Sequence, residues 1–166
     1  LLGALANLLG LGKVKDELED AAFVVTHPDE REELQRRLGD GAWEALLETL
    51  STELRGAIDG EVALRGLTTS LRTSGRAKTA FSTWRKMRGK GKQLEEVLDR
   101  VAMRVIVDAE SGEKADRACF AIRDIARGLW QEEEGRAKDY VSKPKANGYR
   151  SLHLVFRRNG APFELQ

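Results

Sequence analysis

The sequence predicts an α/β (α+β) protein in which a small helical region precedes a mixed β-sheet flanked by helices. Three observations carry that reading. Over the first 60 residues apolar side chains recur at three- and four-residue spacing, as in LANLLGL and VKDELEDAAFVV. VAMRVIVD, residues 101–108, is nearly continuously apolar and β-branched, the pattern of a strand buried on both faces. RSLHLVFR and PFELQ are short strands separated by Arg158-Asn159-Gly160-Ala161, whose central Asn-Gly pair is the strongest short hairpin signal.

The remaining elements follow in order. Pro28 opens a helix over DEREELQRRL, with acids in its first turn and Arg36 and Arg37 in its last, as the helix dipole favours. His27, beside that proline, reads as a turn residue. GAWEALLETLSTELRGAI, residues 41–58, is another amphipathic helix, which Gly60 ends. EVALRGL alternates like a strand, and TTSLRTSG reads as a small-residue loop offering Thr73 or Ser74 as a helix N-cap. A helix follows over residues 76–88, and EKADRACFAIRDIARGLW is a helix that covers the 101–108 strand.

Composition narrows the classes. The chain has 166 residues, 41% hydrophobic and 33% charged, which is enough for one or two cores and argues against disorder throughout. Collagen and coiled-coil repeats are missing. No apolar stretch approaches the roughly 20 residues needed to span a bilayer. The chain opens without Met and without the basic region of a signal peptide, so it is expected to be a segment of a longer one. The single cysteine, Cys119, forms no internal disulfide and reads as a small buried residue in a reducing compartment.

The net charge of +1 hides a segregation. Residues 1–64 carry 14 acids against 6 bases, whereas residues 65–92 carry nine bases and no acid. A solvated surface, a nucleic-acid patch and a polyanion site all remain open readings. In a helix over 76–88, Ala77, Ala80, Phe81, Trp84 and Met87 fall on one arc, the core side. Lys78, Ser82 and Lys86 share the other side at i, i+4, i+8, with Arg85 beside them. Like charges so placed repel, and cations are unfavourable in a first turn, so an anionic ligand would cancel both penalties. The helix N-terminus would add backbone N–H donors to that site.

The hairpin supplies a second constellation. A turn at Asn159-Gly160 pairs Phe156 with Phe163, Leu154 with Leu165, Val155 with Glu164 and His153 with Gln166. The two apolar pairs form a core face. On the opposite face Glu164 lies diagonal to His153, with Gln166 beside it and Tyr149 four residues back on the same side; a merely solvated edge is the other reading. Phosphate transfer uses Mg²⁺ held by one or two carboxylates plus substrate oxygens. Asp99, just before the 101–108 strand, and Glu164 are candidates if the sheet sets their strands side by side; Asp108 is equally eligible by composition.

GRAKTAFSTWRKM (75–87), LDRVAMRVIVD (98–108), GRAKDYVSKPKANGYRSLH (135–153) and PFELQ (162–166) together resemble, in order and spacing, the synthetase domain of the RelA/SpoT-homologue family. LANLLGLGKVKDELEDAAFVVTHPDE resembles the helical connector after the hydrolase domain of its long members. The resemblance implies residues 1–60 as that connector and residues 61–166 as an alarmone synthetase domain with a nucleotidyltransferase-like mixed sheet, ending before the domain's usual C-terminus. It implies transfer of pyrophosphate from ATP to the 3′-hydroxyl of GDP or GTP, with Mg²⁺, or Mn²⁺ in its place. By the same resemblance Arg76, Lys78, Ser82 and Lys86 bind ATP, Asp99 and Glu164 are catalytic metal ligands, and Lys138, Lys145, Asn147, Tyr149, His153 and Gln166 surround the acceptor, with Tyr149 stacking on guanine. Arg104 matches a family position without an assigned role.

Some positions depart from the family pattern. Ala77 stands where the family usually has proline, and the sequence stops before the usual IRT continuation. Neither hydrolase motif nor regulatory region is present, so the rest of a longer parent chain is expected to supply them. Arg136-Ala137-Lys138-Asp139 has the basic form of the bifunctional branch, which implies a preference for GDP. The implied setting is bacterial cytoplasm, or alternatively a chloroplast or other organelle of bacterial descent, with no membrane and no requirement for nucleic acid. A catalytically silent nucleotide-binding module and an RNA-binding domain are the alternatives.

Overall fold

The structure is a computed structural model that describes residues 5, 6, 8–39 and 41–166, so the helical reading of LANLLGL lies partly outside the described residues. In chain order the elements are α1 (Gly12–Thr26), α2 (Pro28–Leu38), α3 (Ala42–Gly60), α4 (Val62–Arg65), β1 (Ser70–Ala77), α5 (Ala80–Lys90), a 3₁₀ turn (Leu94–Glu96), β2 (Val101–Asp108), α6 (Gly112–Leu129), β3 (Gln131–Glu132), β4 (Lys138–Asp139), β5 (Leu152–Arg158) and β6 (Ala161–Leu165). They fall into two compact units, interleaved along the chain: Leu1–Trp43 with Lys78–Val97, and Glu44–Ala77 with Leu98–Gln166.

The first unit packs α1, α2 and α5 around Phe23, Leu34, Leu38, Ala80 and Leu94, with Trp43, Phe81, Trp84 and Met87 against them. These are the apolar positions that helical periodicity selects. His27 sits between α1 and α2 with its ring 4.5 Å from that of Trp84, a packed junction residue. Charge complements the apolar contact: Glu19 of α1 pairs with Arg85 at 3.2 Å, and Glu30 of α2 approaches Arg88 at 4.0 Å.

The second unit is a six-stranded mixed sheet in the order β1-β2-β6-β5-β3, with β4 also paired to β5. Two expectations about its start are overturned. EVALRGL is not a strand: residues 62–65 form the single helical turn α4, capped by Glu61, whose side chain accepts the Ala63 N–H at 3.1 Å. That local cap outweighs an alternation only a few residues long. TTSLRTSG is not a capping loop either. Residues 70–77 are β1, paired along their whole length with β2 from Ser70↔Asp108 to Ala77↔Val101, because an available partner edge overrides weak strand propensity. The helix expected over 76–88 therefore starts at Ala80, with Thr79 as its cap.

At the β5–β6 turn Asn159 and Gly160 both take positive φ, 50° and 81°, as a two-residue hairpin of this type requires. The register runs from Leu154↔Leu165 to Arg158↔Ala161. β6 then lies parallel to β2, with Ala102 opposite Glu164 and Met103 opposite Leu165. Leu152, Leu154, Phe156, Phe163, Leu165, Val101 and Met103 are buried on one face. The other face is polar, so β2 is covered on one side only, and Ile106 remains 39% exposed. Gly75 admits the close approach of α3: a Cβ there would fall 2.4 Å from Leu47 Cδ1 and 3.1 Å from the Ala102 carbonyl.

Glu53 of α3 joins three elements. Its carboxylate accepts from Arg158 at the end of β5, at 2.6 Å, and from the indole N–H of Trp130 after α6, at 2.8 Å. The Arg158 bond first, then the Trp130 bond, hold the Glu53 carboxyl below its usual range. Replacement by Gln is expected to lower the thermal midpoint by roughly 3 °C at neutral pH. A carboxyl depressed in the folded state stabilises above its unfolded pKa and loses that effect as pH falls through the folded one. Thermal scans of wild type and Glu53→Gln should therefore converge in acid.

Candidate active site

Residues paired across a sheet project to the same side, so the register alone assembles a polar surface. One row crosses β1, β2 and β6 as Arg76, Ala102 and Glu164. In the next, Ser74 lies opposite Arg104. Gln166 continues β6 along β2, its N–H donating to Met103 O at 2.9 Å and its carbonyl accepting from Val105 N–H at 2.8 Å. Its side-chain Oε1 accepts from Arg104 Nη2 at 2.8 Å. Gln166 is thus tied to β2; the β5–β6 pairing ends at Leu154↔Leu165, one residue short of the expected His153–Gln166 pair, and His153 pairs with Lys138 of β4.

Three of the expected site residues form a chain of short hydrogen bonds. Glu164 Oε1 lies 2.8 Å from His153 Nδ1, and His153 Nε2 lies 2.8 Å from the Tyr149 hydroxyl. An ionised carboxylate only accepts, so a neutral His153 carries its proton on Nδ1 and Nε2 accepts from the Tyr149 O–H. His153 and Glu164 are each only 19% exposed at the side chain, whereas Tyr149 is 37% exposed overall. The ring that could meet a flat ligand is therefore the accessible end of the chain.

The loop before β5 presents that ring. Gly148 N–H donates to Lys145 O at 2.8 Å, Lys145 N–H to Tyr149 O at 3.1 Å, and the Asn147 side chain accepts from the Tyr149 N–H at 3.2 Å. Asn147 thus closes an Asx turn that aims Tyr149 outward. Lys145 Nζ stands 4.5 Å from the centre of the Tyr140 ring and 5.1 Å from that of Tyr149, within cation–π range. Arg150 anchors the loop by donating to both oxygens of Asp116 on α6 at 2.7 Å and to Val141 O at 3.1 Å. Tyr140 escapes the sequence reading. Its position in KDYV, one residue past a two-residue strand, carries no periodic signal.

A cavity of about 370 Å³ is lined by Val105, Leu154, Leu165 and Cys119 and reaches Arg104, Tyr149 and Gln166 of the candidate site. Burial, and secondarily the Asp116 charge, push the Cys119 thiol up, which keeps it protonated and inert.

The basic segment is distributed differently from its sequence reading. Arg76 is on β1, Lys78 follows the strand, and only Ser82 and Lys86 are on α5, so the three-residue helical face is reduced to two positions. Two donors of the α5 N-terminus are also engaged. Phe81 N–H donates to Asp20 of α1 at 2.8 Å, and Ser82 N–H to Thr79 Oγ1 at 3.3 Å. Lys78, Ser82 and Lys86 belong to the helical unit, whereas Arg76 and Asp99 belong to the sheet unit.

Among the described residues no group of three or more His, Cys, Asp or Glu side chains forms a metal cage. Mg²⁺ typically needs only one or two carboxylates when phosphates and water complete its shell. Glu164 is on β6, paired with Ala102 of β2, and Asp99 lies in the turn just before β2; both are hard oxygen donors of that kind.

Comparison with known proteins shows the family of the chain. The model of a region found in RelA / SpoT proteins matches residues 75–166. A rice (Oryza sativa subsp. japonica) protein named probable GTP diphosphokinase RSH2, chloroplastic, is 38% identical over 98% of this chain, which spans 21% of its length. Probable GTP diphosphokinase RSH3, chloroplastic, of Arabidopsis thaliana is 35% identical over 100% of the chain, which spans 22% of it. The chain thus covers about a fifth of these relatives. In fold it matches small alarmone synthetase 2 of Bacillus subtilis with a TM-score of 0.56 and 24% identity, over 83% of this chain and 71% of that one.

The Asp20 bond to α5 is testable in solution. Asp20→Ala should cost about 0.5–2 kcal/mol, as loss of an N-cap acceptor does. Amide exchange should accelerate at Phe81 more than at residues in the middle of α5. Unchanged exchange there would show that the carboxylate does not hold the helix end.

Proposed function

Because the chain belongs to the RelA/SpoT family, we propose that it transfers the β,γ-pyrophosphate of ATP to the 3′-hydroxyl of GDP or GTP, making (p)ppGpp. The Tyr149–His153–Glu164 hydrogen-bonded chain carries this reading, since it sets a carboxylate, an orienting imidazole and an exposed aromatic ring in line on one side of the sheet. Tyr149 stacks on the guanine of the acceptor. His153 holds Glu164 through Nδ1 and leaves Glu164 Oε2 for the acceptor hydroxyl. The 3′-oxygen attacks the β-phosphorus, the bond from that phosphorus to the α,β-bridging oxygen breaks, and AMP leaves while Glu164 takes the hydroxyl proton.

Lys138, Lys145, Asn147 and Gln166 frame the acceptor. Arg76, Lys78, Ser82 and Lys86 bind ATP, chiefly its phosphates, because phosphoryl-type transfer depends on positioning and charge neutralisation more than on covalent chemistry. Asp99 and Glu164 are the residues that would hold Mg²⁺, or Mn²⁺ in its place. The ion would neutralise charge on the transferred pyrophosphate.

The domain reading is residues 1–60 as a connector from a hydrolase domain and 61–166 as the synthetase domain of a longer chain, with hydrolase and regulatory regions elsewhere in that chain. The basic Arg136–Asp139 segment supports GDP over GTP. The chloroplastic designation of the plant relatives supports an organelle of bacterial descent over bacterial cytoplasm. No helix among the described residues is long and apolar enough to cross a membrane.

Incubation with labelled ATP, GDP and Mg²⁺ should yield labelled guanosine tetraphosphate and AMP, and no transfer by the folded protein would refute the reading. Glu164→Gln should abolish transfer while ATP affinity stays within a few-fold; equal loss of both would assign Glu164 a structural role. Tyr149→Ala should weaken GDP binding by roughly 5- to 150-fold, the range of base–aromatic stacking, with little change for ATP. A fall in affinity for both nucleotides together with the thermal midpoint would instead mark Tyr149 as a core residue.

A further inference from the structure

We infer that Tyr140 is a positioning residue for the acceptor end of the site, acting through its ring on His153, Tyr149 and Lys145. The inference rests on the synthetase reading above and deepens it. Tyr140 meets His153 edge to face, with ring centres 5.6 Å apart and planes at 86°, and meets Tyr149 at 6.0 Å and 64°. Both arrangements suit the aromatic quadrupole. The Lys145 ammonium lies closer to the Tyr140 ring than to the Tyr149 ring. One side chain therefore touches all three of the nearest expected acceptor residues.

The ring stands on a fixed base. Tyr140 N–H donates to Ser151 O at 2.9 Å. On one side Asp139 accepts from the Val141 N–H at 3.0 Å and the Ser142 N–H at 2.8 Å. The Ser142 bonds chiefly hold the Asp139 carboxyl below its usual range. On the other side Arg150 grips Val141 O. His153 turns about its Cβ–Cγ bond unless something occupies its faces, and Tyr149 stands on the loop before β5. Tyr140 restricts both, so that Nδ1 keeps facing Glu164 while the Tyr149 ring stays accessible. It also stores Lys145 beside the place where a purine would stack, at a cost to that lysine of only a weak contact when a ligand claims it.

The roles named are properties of a ring, not of a hydroxyl, and this makes the inference testable. Tyr140→Leu should raise the acceptor KM roughly tenfold and leave the ATP KM within about twofold. Tyr140→Phe should restore wild-type values. The chain has two histidines, His27 and His153, so ring ¹⁵N spectra resolve the His153 tautomer directly. Wild type and Tyr140→Phe should show the Nδ1–H form, and Tyr140→Leu a mixture.

If Tyr140→Leu does not fold, 3,4,5-trifluorophenylalanine at position 140 keeps the ring's shape and weakens its quadrupole. The acceptor KM should then rise relative to Phe. An unchanged His153 spectrum in Tyr140→Leu, a Phe variant as impaired as Leu, or indifference to fluorination overturns the inference. Absence of any transfer by wild type would refute the synthetase reading instead, and the ¹⁵N spectra would still decide whether Tyr140 sets the His153 ring.

Discussion

The hydrogen-bonded register between β5 and β6 decides which side of the sheet each hairpin residue faces, and both the core and the candidate site depend on it. Side chains alternate along a strand, so Leu154, Phe156, Phe163 and Leu165 turn to the helices as His153 and Glu164 turn away. A slip of one residue would expose the phenylalanines and bury the carboxylate. Burial of four large apolar side chains therefore enforces the geometry of two polar ones, and the hydrogen bond between His153 and Glu164 adds little that the core has not already required. The parallel pairing of β6 with β2 extends the same logic: Met103 and Leu165 share the packed side, which sends Ala102 and Glu164 to the polar one.

In the helical unit the ordering influence is charge laid over an apolar core. The acid excess of the N-terminal residues and the acid-free stretch from 65 to 92 look unrelated along the chain, yet Glu19 meets Arg85 and Asp20 meets the amide end of α5. One N–H of the helix end that a basic sequence offers to a phosphate is thus taken by a carboxylate of the same chain.

The parts of the fold legible in sequence were those with strong local signals. The Asn-Gly turn, with alternation on both sides, gave the β5–β6 register to the residue and placed His153 diagonal to Glu164. The proline-opened α2 and the amphipathic α3 and α6 were equally clear. β1 was not, because Ser70–Ala77 is small and polar and becomes a strand only against β2, a pairing between residues some 30 positions apart. With β1 misread, the following helix was started too early and Lys78 was placed on it. Within the site, spacing alone clusters Glu164, His153 and Tyr149, whereas Asn147 enters only through the family resemblance. Tyr140 was missed because its neighbours are brought together by a strand of only two residues, β4, whose existence depends on β5.

The Asn159-Gly160 turn also bears on how the molecule assembles. Two strands joined by two residues close in microseconds with little loss of chain entropy, whereas the β2–β6 pairing must bring residues 102 and 164 together across α6 and the loops after it. Local contacts form ahead of distant ones when both contribute to the same sheet. His153 and Glu164 are thus brought together by a local contact alone, whereas Arg76 shares a row with Glu164 only through two long-range pairings, β1 with β2 and β2 with β6.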